Sequence, residues 1–223
     1  MNEPLEARLR NREVEAARYA LIRRLVPVLR HHLVNHLQPI GLLYEVAVRK
    51  LGAVPFEQDS LRDTMTGINN HARAGVASTL DVVSWLEPED LGATALGLGV
   101  EECLNMLYSN FTFRGFAVDN QVGDARLPVA RVALREVFTA ALIAATDSAV
   151  QPVRIELGAE TVAGRPLLSI RVVSIPADGN QDVMCYRTLS WVDVAALARA
   201  HGVGIEHEGG AARLTFDEAA PAA

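Results

Sequence analysis

The sequence predicts an antiparallel helical hairpin followed by an α/β sandwich. Three observations carry that expectation. Apolar residues recur every three or four positions through most of the first 86 residues, the period of a helix with one buried face. The polar, proline-containing run Glu87-Pro88-Glu89-Asp90 then interrupts the pattern. Beyond it, helical periods alternate with short β-branched runs bounded by turn residues. The expected division is a hairpin over 1–87, a linker at 88–91, a sandwich over 92–217 and a disordered tail at 218–223.

Residues 4–51 read as one long helix or two nearly continuous ones. Ala, Leu, Glu and Arg dominate its first part, and all favour helix. A stripe then runs through Ile22, Val26, Leu29, Leu33, Leu37, Ile40, Tyr44, Ala47 and Leu51. Pro27 and Pro39 interrupt the run. Because the stripe keeps its phase across both, they should bend the helix rather than end it. Gly52-Ala53-Val54-Pro55 makes the break, and a second helix follows over 57–86, with Leu61, Met65, Ile68, Ala72, Val76, Leu80 and Val83 on one stripe. A lone hairpin leaves one face uncovered, so a homodimeric four-helix bundle is expected.

In the second part, 100–110 reads as helix, 115–122 as strand and 132–148 as helix. Strands follow at 153–160 and 167–173, with Ala163-Gly164-Arg165-Pro166 as the turn between them. A helix over 190–201 stops at Gly202, and a hairpin around Gly209-Gly210 closes the chain. This order predicts a sheet covered by helices on one side.

Composition narrows the function classes. The net charge of -6 excludes a basic nucleic-acid footprint. No apolar run reaches the ~20 residues of a membrane span, and the charged N-terminus shows no signal-peptide pattern, so a cytoplasmic protein is expected. Cys103 and Cys185 lack metal-ligand spacing and read as buried free thiols.

Chemistry concentrates in Arg30-His31-His32-Leu33-Val34-Asn35-His36-Leu37-Gln38-Pro39-Ile40. At about 100° per residue, His31 lies about 160° from the stripe at Leu33 and should face solvent, with Asn35 one turn on. His32 and His36 fall on the shoulder of the stripe. Three readings follow from spacing. His31 is an exposed nucleophile that takes a phosphoryl group, with Asn35 orienting its partner. Or His32 and His36 form half of a metal site. Or all three are polar residues beside a dimer seam.

The segment resembles the phosphoacceptor motif of bacterial sensor histidine kinases, His-[Glu/Asp]-Leu-Arg-[Thr/Asn]-Pro-Leu-x-x-Ile. It matches at His31, Leu33, Asn35, Leu37 and Ile40. It is also similar to a variant kinase subclass with His-Arg-Val-Lys-Asn-Asn-Leu-Gln. Leu134-Arg135-Glu136-Val137-Phe138-Thr139-Ala140 through Ala145 resembles the kinase helix that bears the nucleotide and magnesium asparagines. Leu168 to Val173 resembles the strand that leads to the adenine-binding Asp-x-Gly-x-Gly. Ala195 to Ile205 with Gly209-Gly210 and Leu214-Thr215-Phe216 resembles the closing segment. The resemblance covers residues 20–217.

The departures are systematic. Ala140 and Ala144 stand at the two asparagine positions, and alanine offers Mg²⁺ no oxygen donor. Ser174 replaces the adenine-reading Asp, Ile175-Pro176-Ala177 lacks the glycines, and Arg187-Thr188-Leu189-Ser190-Trp191 replaces the phosphate loop. His32 replaces the acid that would act as general base. The resemblance therefore implies a histidine phosphotransferase of phosphorelays that holds neither ATP, metal nor another cofactor. His31 would carry the phosphoryl group, with Asn35 beside it. His32 and Gln38 would lie on the face that docks a response-regulator receiver domain. The alternative is a non-catalytic pseudokinase, a dimeric adaptor for a response regulator or kinase.

Overall fold

The computed structural model describes residues 5–86, 92–147, 153–175 and 188–219. The chain forms two compact units: Met1–Leu25 with Pro88–Ala223, and Val26–Glu87. This differs from the division expected at residue 87, because the first 25 residues group with the sandwich rather than with the hairpin. The expected linker and the end of the tail lie outside the described residues.

Helix α1 (Leu5–Leu51) contains both Pro27 and Pro39, as the unbroken phase of its apolar pattern implies. In the unit 26–87 it is joined by α2 (Gln58–Leu86). The two run antiparallel. The Lys50 ammonium donates to the Ser60 carbonyl and the Thr64 hydroxyl, both at 2.9 Å. Further along, Gly67 faces Leu43, and Gly75 faces Leu37 and His36.

The side of α2 turned to α1 is thus built from small residues: Thr64, Gly67 and Gly75. Small side chains let two helices approach closely. Part of the larger apolar stripe points elsewhere. Met65, Val76 and Leu80 on α2 are more than half exposed, as are Leu37, Tyr44 and Leu51 on α1. The expected stripe is therefore divided: Leu37 meets Gly75 and Leu29 and Ala47 are buried, while Met65, Val76, Leu80, Tyr44 and Leu51 stay open.

The other unit is a helix layer on a mixed sheet. A two-stranded ribbon, β1 (Ala93–Ala95) with β3 (Pro128–Ala130), was not foreseen from the sequence. Between its strands lie α3 (Leu96–Phe113) and β2 (Ala117–Asn120). The next helical run, 131–147, comprises α4 (Arg131–Ala133), a π-helical turn (Leu134–Phe138) and α5 (Thr139–Asp147). Then come β4 (Val153–Val162), β5 (Arg165–Ser174), α6 (Trp191–Ala200), β6 (Gly204–Glu208) and β7 (Ala211–Thr215).

The sheet order is β2-β4-β5-β7-β6, with β2 parallel to β4 and the other pairs antiparallel. Alternate residues face the helices, as a half-covered sheet requires. Val153, Ile155, Leu157, Leu168, Ile170, Ala212 and Leu214 are buried with Phe138, Leu142 and Leu197 of the helices. On the open face Glu156 stands opposite Arg171, and Arg213 opposite Glu206, in direct cross-strand register.

Local rules account for the ends of α6. Ser190 and Asp193 form a reciprocal capping box at its start, and Gly202 at φ +66° follows its end. Cys103 is fully buried in this unit, and burial pushes its thiol up to about 12. Cys185 lies outside the described residues. Among the described residues no helix is long and apolar enough to cross a membrane.

Candidate functional site

Helix α1 places His31 and Asn35 four residues apart on an exposed face. The Asn35 amide nitrogen lies 3.0 Å from His31 Nε2. An amide N–H donates, so Nε2 accepts and the ring proton sits on Nδ1, an assignment made from the hydrogen-bond pattern. Gln38 is exposed further along α1.

His32 and His36 behave differently. Both are half-buried against α2, and His36 reaches Gly75. Burial, reinforced by His31 and His36, lowers the His32 imidazole below its ordinary value, while Asp81 on α2 opposes the shift. His32 is thus biased toward its neutral form. Of the two residues read as docking positions, Gln38 is open and His32 is partly withdrawn. Among the described residues no group of three or more His, Cys, Asp or Glu is placed to hold a metal ion.

In the sandwich unit, Ala140 and Ala144 lie on α5 and are 0% and 3% exposed. Both positions are packed and carry no side-chain oxygen. Ser174 is exposed at the end of β5. Of the segments that replace the glycine-rich loops, Pro176, Ala177 and Arg187 lie outside the described residues, whereas Leu189 is buried, Ser190 caps α6 and Trp191 begins it.

Two charged clusters flank these alanines, and both escape a reading of the sequence. At Glu136, in the π-helical turn, Arg18 Nε donates at 2.9 Å and His201 Nε2 at 2.7 Å. Burial alone would raise the Glu136 carboxyl, but His201 and Arg18 outweigh it and hold the group below its ordinary value. At Asp147, Arg24 and Arg114 both pair with the carboxylate, and the Leu189 N–H donates at 3.3 Å. There burial prevails, and the Asp147 carboxyl is raised despite both arginines. The partners are separated by 33 to 123 residues in the chain, so no local spacing announces them. Arg18 and Arg24 are two of six arginines in residues 5–25, so composition does not single them out either.

No family model matches the chain, and no curated protein matches it. Among solved structures it is similar to the histidine kinase AdeS of Acinetobacter baumannii. The identity is 14% and the TM-score 0.44, covering 81% of this chain and 95% of that one. A bacterial phosphotransferase is 12% identical with a TM-score of 0.40, covering 88% and 95%. The cytoplasmic segment of the histidine kinase QseC is 15% identical with a TM-score of 0.42, covering 64% and 91%. All three likenesses are distant.

Proposed function

We propose that the chain is a histidine phosphotransferase of the two-component type, with His31 as the carrier. The observation that carries this reading is the exposed His31 ring, with the Asn35 amide nitrogen 3.0 Å from its Nε2. In the step envisaged, Nε2 attacks the phosphorus of an aspartyl phosphate on a receiver domain. An N–P bond forms, the P–O bond to the aspartate breaks, and the carboxylate leaves. The receiver supplies its own Mg²⁺. Transfer to a second receiver reverses these events. As the lone pair is consumed, the Asn35 amide is released and becomes a donor for a phosphoryl oxygen. His32 is biased toward the neutral form, so it adds little positive charge beside His31 before transfer.

The family resemblance supports the same reading, and the packed alanines at 140 and 144 support a chain that takes its phosphoryl group from a receiver rather than from ATP. The exposed apolar residues Met65, Val76 and Leu80 support a second copy as the partner of the hairpin.

The test mixes the full-length protein with a phosphorylated receiver from the same organism. Acid-labile, base-stable label is expected on the wild type and absent from His31→Ala. A wild type that binds the receiver without acquiring label would replace the carrier with an adaptor. Mg-ATP binding detected by calorimetry would overturn the ATP-independent reading.

A further inference from the structure

Within the unit formed by 1–25 and 88–223, the first turns of α1 are held at three points. Glu13 meets Arg199 of α6 at 3.3 Å, Arg18 meets Glu136 at 2.9 Å, and Arg24 meets Asp147. Between these pairs α1 presents Ala17, Ala20 and Leu21, and Leu25 follows; each is 5% exposed or less. On the receiving helix, Ala140, Ala144 and Asp147 recur at helical spacing, so they share a face. Asp147 fixes that face toward α1 through Arg24.

Small residues on both sides permit the close approach of two helices. The ion pairs add direction. Their signs run acid, base, base along α1 against base, acid, acid on the receiving side. A shift of α1 by one turn would separate every pair. A cleft lined by Val14, Arg18, Ala196 and Arg199 marks the passage of α1 along α6.

We propose that the face of helix 131–147 bearing Ala140 and Ala144, with the adjoining side of α6, is a helix-binding groove whose resident ligand is residues 5–25 of the same chain. This stands whether or not His31 carries phosphate. It gives the two alanines a positive role. They are docking residues for a helix, at the positions where the kinase resemblance puts nucleotide ligands.

The full chain carrying Leu21→Asp and Arg24→Asp tests this by hydrogen exchange. Protection should fall in both 5–25 and 131–147 while β4 and β5 keep theirs. A fluorescent peptide of residues 5–25 should bind this variant and not the wild type, whose groove is filled. The proposal is overturned if 131–147 keeps its protection while 5–25 exchanges freely. It is also overturned if the peptide binds both proteins alike or neither. Should the variant lose protection in β4 and β5 as well, Arg18→Glu replaces it. Recovery of protection in 5–25 on adding Glu136→Lys then supports the groove, and no recovery sinks it.

Discussion

Asn35 and His31 were legible as a pair because helix spacing alone places them on one face, and their 3.0 Å contact agrees. A neutral hydrogen bond contributes about 1 kcal/mol, so Asn35→Ala should slow phosphoryl transfer about fivefold, read as the initial rate of label uptake. The Asp147 cluster was not legible, since its partners Arg24, Arg114 and Leu189 come from three separate segments. Its carboxylate balances Arg24 and Arg114, whose side chains are also largely buried. Because burial outweighs both arginines at Asp147, the neutral isostere Asp147→Asn should cost less in urea unfolding than the ~3–5 kcal/mol typical of breaking a buried ion pair. The two acids titrate in opposite senses. Glu136 lies below its ordinary value, so its stabilisation is complete above the unfolded pKa and is lost as pH falls through the folded one. Asp147 lies above its ordinary value, so its ionisation costs stability as pH rises, and acid relieves that cost. Glu136→Gln should therefore flatten the acid limb of the stability profile, measured by urea midpoints between pH 3 and 6.

The helices show what periodicity reports and what it omits. It identified residues sharing a face on α1 and α2, but not which neighbour would cover that face. Large apolar side chains at Val76 and Leu80 stay open, whereas Thr64, Gly67 and Gly75 make the contact with α1. Two glycines in α3 are close-packing sites. A methyl group on Gly97 would stand 2.3 Å from the Gly123 carbonyl, and one on Gly99 would stand 2.5 Å from Leu134 Cδ1. The first obstacle is backbone and cannot rotate away. Gly97→Ala should lower stability by about 1–3 kcal/mol, and Gly99→Ala by less, because Leu134 can yield. Thermal melts of the two variants provide the comparison.

For the whole molecule, the sequence conveyed the order of helices and strands but not the grouping of the first 25 residues. That grouping rests on Arg18 and Arg24 finding acids more than 100 residues away, which no pattern within α1 specifies. The ribbon of β1 and β3 escaped because each strand has only three residues. If the open stripe of the hairpin is a dimer seam, Val76→Glu with Leu80→Glu should convert a dimer to a monomer in analytical ultracentrifugation, with the sandwich unit still folded. Cys103 offers an independent gauge of that fold. A thiol raised to about 12 is thiolate in about one molecule in 10⁵ at pH 7, and its sulfur is sealed from solvent. In a Cys185→Ser background, an alkylating reagent can then capture the protein only when this unit opens. The labelling rate becomes a clock for that opening, one that can be read inside a living cell without purifying anything.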